Sequence, residues 1–158
     1  MPVDPHQRLS EHFSLAEFLK SDTATRRGIR NICNEAQLAA MQALCRDVLE
    51  PMRRHFARPM RTTSGFRSVP LCLAVGSSKT SQHARGEAWD GEIAGVSNRD
   101  VAGWLVASGL PFDQLILEGY DGTDPNSGWI HVSHKAALPN RGMYGTWNKR
   151  RGYRWGSL

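Results

Sequence analysis

The apolar positions change their period along the chain. Leu38, Met41, Leu44, Cys45, Val48, Leu49 and Met52 recur three and four residues apart, the spacing of one buried helix face. Asn34 and Gln37 form a box-like start for this main core helix, and Arg53 and Arg54 suit its last turn. Pro51 has no backbone N–H, so the helix should kink or end near it. The methionines read as core filling. Upstream, Ser14-Leu15-Ala16-Glu17 has the form of a capping box and predicts a short helix over Leu15–Lys20. Residues 1–12 read as a loose lead-in, and residues 21–33 as a polar loop around Gly28.

Beyond residue 60 the pattern turns strand-like. Met60–Phe66 carries Thr62 and Thr63 and ends in Ser64-Gly65-Phe66-Arg67-Ser68. Residues 68–80 are rich in Ser and Gly and predict a loop. A strand is expected over Ala88–Ile93. A helix starting at Ser97 with Asp100, and carrying Val101, Ala102, Trp104 and Leu105, should stop at Gly109. Phe112–Glu118 and Trp129–Ser133 predict two strands paired as a hairpin, with the turn-forming loop Gly119–Gly128 between them. There is no internal repeat and no linker, so the 158 residues predict one domain.

Composition narrows the class. A hydrophobic fraction of 40% supports a proper core, and no apolar run approaches the roughly 18 residues of a membrane helix. The N-terminal Met1–His6 lacks a basic start followed by an apolar segment, so no signal peptide is expected and folding in a cytosol is. Cys33, Cys45 and Cys72 form no CxxC and leave one unpaired, which predicts reduced thiols. The net charge of +5 favours polyanions such as nucleic acid, anionic lipid or cell-wall polymers. Basic residues thicken at the C-terminus (Lys135, Arg141, Lys149, Arg150, Arg151, Arg154), with Tyr144, Trp147, Tyr153 and Trp155 among them. This segment resembles a nucleic-acid module in composition. The favoured reading is a solvated basic tail that packs an aromatic or two on the body.

Candidate chemistry concentrates in Ser81–Asp90. His83 and Asp90 lie seven positions apart with Gly86 between them. As helix, that spacing is about two turns and shares a face. As turn and strand, Gly86 lets the chain double back so that both point at one atom, and this reading is preferred. Neutral imidazole and carboxylate are the usual ligands of a catalytic zinc, which keeps one position open for water. Of six histidines, only His131 lies inside a predicted strand, where alternation turns it away from Ile130 and Val132 towards a cleft. It is the expected third ligand. Such a site needs a general base. Glu118, at the end of the partner strand, would stand beside the metal; Glu87 is its rival, and Asp113, Asp121 and Asp124 are weaker ones. Arg67, after a strand and a glycine, is either a guanidinium for a substrate carbonyl or carboxylate, or a surface arginine.

These residues carry a family resemblance. Ser81-x-His83-x-x-Gly86-x-Ala88-x-Asp90 followed by Trp129-x-His131 resembles the M15 zinc peptidases, which include D-alanyl-D-alanine carboxypeptidases, dipeptidases and phage endolysins. Phe13–Phe18, Asn34-Glu35-x-Gln37-Leu38, Val48–Pro51, Ser64–Ser68, Phe112–Ile116 and Gly128–Ser133 are similar to the phage and prophage branch. The likeness covers residues 13–134 and leaves the basic aromatic segment 135–158 unassigned. It implies an α+β fold like that of Hedgehog domains and DD-peptidases, a small antiparallel sheet packed against helices. It implies zinc held by His83, Asp90 and His131, Arg67 on the substrate, and Ser81 supporting the ligand region or a substrate carboxylate. Many relatives carry the catalytic glutamate three residues before the last histidine; that position here is Gly128, and Glu118 is the natural substitute. Gly91, where an apolar residue commonly follows the ligand aspartate, is expected to loosen the packing under the metal.

The implied activity is zinc-dependent hydrolysis of peptide bonds in the stem peptides of bacterial peptidoglycan, by a monomer that reaches the wall after release from the host cytoplasm or within a virion. The competing readings are a non-catalytic, zinc-stabilised module that binds wall or protein, and nucleic-acid binding by the basic C-terminus.

Overall fold

A computed structural model describes residues 2–137 and 139–158. Short helices α1 (Leu15–Leu19) and α2 (Asp22–Arg27) precede a long helical rod, α3 (Glu35–Leu44) and α4 (Glu50–Phe56), joined by a π turn over Cys45–Leu49. Strand β1 (Met60–Ser64), helix α5 (Val69–Ala74), a 3-10 turn (Gln82–Arg85), strand β2 (Ala88–Ile93) and helix α6 (Asn98–Ser108) follow. The chain closes with β3 (Gln114–Glu118), β4 (Trp129–Ser133), β5 (Met143–Asn148) and β6 (Gly152–Trp155). No described helix is long and apolar enough to cross a membrane.

Local chemistry accounts for most of these elements. Ser14 and Glu17 close a reciprocal capping box on α1, and Asn34 and Gln37 do the same on α3. All seven apolar positions of the predicted core helix are buried, each worth about 1.5–3 kcal/mol over exposure. The helix does not stop at Pro51. Pro51 has no N–H for the carbonyl four residues back, and a widened turn lets the coil continue, with the Glu50 N–H bonded to the Cys45 carbonyl. The three cysteines are free and buried.

The six strands form one mixed sheet in the order β1-β2-β4-β3-β5-β6, antiparallel except for the parallel pair β3–β5. The expected small antiparallel sheet is therefore too small and of the wrong type. The difference comes from residues 143–155: they are not a solvated tail but a hairpin that satisfies the outer edge of β3, which would otherwise present unpaired N–H and C=O groups.

Three expected loops are also structured. Ser21 caps α2 and Gly28 ends it, inside the segment read as loop. Pro70 starts α5 within residues 68–80, where Leu71 and Cys72 reach the core. The lead-in is docked rather than loose. Glu50, itself buried, accepts from the Ser10 hydroxyl at 2.8 Å and the His12 N–H at 2.8 Å, and meets His12 Nδ1 at 2.7 Å.

Strand alternation sorts the sheet. Trp89, Ile93, Leu115, Leu117, Ile130 and Val132 face the helices and join Met41, Leu49, Val101 and Leu105 in one core cluster. Asp90, Ile116, Glu118, Trp129 and His131 stand on the opposite face and floor a cavity. Gly91 does not loosen this packing. A side chain there would collide with the indole of Trp89, which is fully buried and donates to Thr62 Oγ1 at 2.8 Å.

Candidate active site

Register brings the chemistry together. Asp90 lies directly opposite His131 across β2–β4, with Ser64 of β1 on its other side. Directly opposed residues project from the same face, so both side chains meet. A β-bulge between Thr62 and Ser64 shifts the register there, and bulges of this kind re-aim side chains beside active sites.

His83 arrives on the 3-10 turn. The Ser81 hydroxyl caps that turn by accepting the His83 N–H at 3.2 Å. Gly86 ends it with φ +74, a conformation that L side chains avoid, and a Cβ there would press on the Gln37 carbonyl of α3. Turn and strand is therefore the geometry of the motif.

His83 Nδ1 lies 2.6 Å from the Gly65 carbonyl. A carbonyl only accepts, so Nδ1 donates there, and Nε2 is the ring atom that faces Asp90, 3.3 Å from Oδ2. His131 Nδ1 lies 2.8 Å from Asp90 Oδ1. Burial alone would raise the Asp90 carboxyl, but the charges and hydrogen bonds of His83 and His131 win and hold it far below the usual carboxylate range. Burial would lower His131, and the Asp90 carboxylate overrides it upward.

Ligand atoms of His83, Asp90 and His131 all lie within 4.8 Å of one another. Two imidazoles and one carboxylate, with a backbone carbonyl fixing one tautomer, fit a divalent cation that leaves a coordination position open. Glu11, His12 and Glu50 are a second group with suitable spacing. The Glu50 oxygens already hold the lead-in, and that group is a structural clamp.

A cavity of about 640 Å³ opens over the cluster. Arg67 and Glu118 line it. Arg67 is not a surface arginine: its Nη2 bonds Asp90 Oδ2 at 3.0 Å and its Nε bonds Ser64 Oγ at 2.8 Å. Glu118 is half-buried at the end of β3, and burial raises its carboxyl above the ordinary value, with His131 and Arg67 opposing and Asp90 assisting. Its rivals are occupied elsewhere. Glu87 pairs with Arg85 at 3.0 Å. Asp113 is held by Arg141 and Lys135. Asp121 and Asp124 accept backbone N–H groups of their own turn.

A family model described as Peptidase M15 matches residues 11–133. The chain belongs to the peptidase M15 family. No curated protein matches it. In this M15 chain Gly128 has φ +75, and a Cβ there would collide with the Glu118 carbonyl across the hairpin. A glutamate is therefore sterically excluded where many relatives carry theirs, and Glu118 occupies the adjoining strand end.

Three residues around the candidate site were not assigned to it from sequence. Asn31 donates to the Leu19 and Phe66 carbonyls, both at 2.9 Å, and accepts the Ser68 N–H at 2.8 Å, which pins the turn bearing Arg67. It lay in a segment read as loop and had no local signal. Trp147 and Tyr153 line the cavity from the C-terminal hairpin. Their signal was present in the alternation of residues 144–148 and in the turn residues Asn148 and Gly152, but the run of arginines masked it.

Proposed function

We propose that this M15 peptidase is a zinc enzyme that hydrolyses peptide bonds in the stem peptides of bacterial peptidoglycan, as a D-alanyl-D-alanine carboxypeptidase or an endopeptidase of the phage endolysin type. The observation that carries the reading is the convergence of His83, Asp90 and His131 on the floor of one cavity whose walls present Glu118 and Arg67. The finer fold assignment, a core like that of Hedgehog domains and DD-peptidases, goes with it.

His83 through Nε2, one Asp90 oxygen and His131 through Nδ1 would hold the ion. Bound zinc would supply Lewis acidity to a carbonyl and lower the pKa of water to about 7. Glu118 takes the proton of the attacking water as its oxygen adds to the carbonyl carbon. It returns that proton to the amine nitrogen as the C–N bond breaks. The burial that raises its carboxyl makes Glu118 a stronger base for the water proton. Arg67 orients Asp90 and presents its guanidinium to the carbonyl oxygen or to a substrate carboxylate. Ser81 keeps His83 in place by capping its turn. The net positive charge favours approach to acidic wall polymers. Synthesis in a host cytoplasm, followed by release to the wall or carriage in a virion, completes the reading.

The test is elemental analysis of the purified protein together with mass spectrometry of fragments from defined peptidoglycan. Zinc near one equivalent and release of D-alanine or of cut stem peptides are expected. Full clearing of peptidoglycan by His83→Ala or Glu118→Ala would sink the assignment.

A further inference from the structure

The cavity does not end at Glu118. In the parallel register Trp147 of β5 lies beside Glu118, Tyr153 of β6 lies opposite Trp147, and Trp155 lies opposite Gly145. Alternation puts these three aromatic side chains on the face that carries Glu118, and Trp147 and Tyr153 line the cavity itself. The Tyr153 and Trp155 rings are parallel within 3° with centroids 5.4 Å apart, and the Trp147 ring is 6.3 Å from Tyr153 and tilted 50° to it. Gly145 makes the arrangement possible. A Cβ there would stand 3.0 Å from Trp155 Cε3, so its absence lets the indole lie against the sheet.

Tyr153 is 57% exposed and Trp155 44% exposed, on a four-residue edge strand. Large aromatics on an open edge invite unwanted pairing and are poorly solvated, unless they serve a ligand. The residues matching the family end at 133, so the whole hairpin lies beyond them. Arg67, Arg85, Lys135 and Arg141 line the cavity together with Trp147 and Tyr153, but each is paired with a carboxylate. Arg151 and Arg154 line a separate recess with Thr146 on the reverse side. Single-stranded nucleic acid needs stacking faces and backbone cations along one groove. An aromatic face whose neighbouring arginines are either ion-paired or turned away fits uncharged rings instead. Pyranose sugars with equatorial substituents offer such a ring: an apolar C–H face to stack, and hydroxyl or amide groups for the polar tips of Tyr and Trp.

We infer that Trp147, Tyr153 and Trp155 form a saccharide platform that stacks on the N-acetylated amino-sugar strand from which the stem peptide hangs. The platform feeds that peptide into the cavity beside it. The inference rests on the peptidoglycan reading, and its test separates the two.

The full chain is titrated with N-acetylglucosamine oligomers, which contain no peptide bond to cut, while tryptophan fluorescence is followed. Saturable binding is expected, weakened about tenfold in Trp155→Ala and retained in Trp155→Phe. Tyr153→Leu serves as a second variant should Trp155→Ala not fold. The ratio of kcat/KM on glycan-linked to sugar-free stem peptides should fall by a similar factor in both variants. Absence of saturable binding by the wild type, or binding unchanged in both variants, would overturn the platform. So would salt-sensitive binding of a thymidine oligonucleotide in place of the saccharide. Sugar binding by a protein that leaves peptidoglycan uncut would keep the platform and sink the hydrolase; cutting without sugar binding would do the reverse.

Discussion

Asp90 holds three groups on two oxygens: His131 on Oδ1, with Arg67 and His83 near Oδ2. Each was visible in the sequence as a residue type, yet only strand register made them neighbours. Glu118 is the residue whose role is easiest to isolate, because it lines the cavity without being a candidate ligand. Glu118→Gln should lower kcat/KM by about 10²–10⁴-fold, the usual worth of a positioned general base, with zinc content and melting temperature unchanged. A loss of metal in this variant would make Glu118 a ligand instead. Asp113 has a different task. Its side chain is 0% exposed and bears Arg141 Nη2 at 2.6 Å and Lys135 Nζ at 3.2 Å. Burial alone would raise it, but Arg141 and then Lys135 hold it well below the ordinary carboxylate range. A carboxyl lowered in the folded state stabilises fully above its unfolded pKa, near about 3.9, and loses that contribution as pH falls through the folded value. Asp113→Asn should therefore cost about 3 kcal/mol at pH 7. Urea unfolding at several pH values should show the gap to wild type narrowing below about pH 4.

At the scale of elements, α1, α3 and α6 declared themselves by caps and period and β1 to β4 by alternation, while α2 and α5 were read as loops. What failed had a physical cause. The π turn before Pro51 obeys no local rule that a sequence displays, and a proline normally ends a helix. The β5–β6 hairpin was hidden because its charge density outweighed its alternation, and because it needs β3 as a partner before it can form. α4 ends on Ala57 with φ 51, the one non-glycine residue at positive φ among the described residues. Left-handed backbone strains a residue that bears a Cβ. Ala57→Gly should raise stability by about 0.5–1 kcal/mol, a gain of roughly 2–4 °C per kcal/mol for a domain of this size, read by calorimetry.

At the scale of the whole molecule, a bound metal would be coupled to the fold. The three candidate ligands come from the 3-10 turn, β2 and β4, so an ion held by them ties three segments together. Zinc added to chelated protein should raise the melting temperature by several degrees, corresponding to about 2.7 kcal/mol at a hundredfold excess over Kd. Asp90→Asn should abolish the increment, and an unchanged melt in the wild type would argue against the site. The sequence by itself determined the residue types of the site, the core helix, the strands that carry Asp90 and His131, and the family. Those rest on local rules: periodicity, caps, and a motif whose spacing a turn and a strand can satisfy. Only the tertiary structure decided that the sheet has six strands, that Asn31 pins the Arg67 turn, that Gly128 has no room for a glutamate, and that the C-terminal aromatics adjoin the cavity. Each of these depends on contact between segments distant along the chain, and no local pattern encodes which distant backbone will lie alongside.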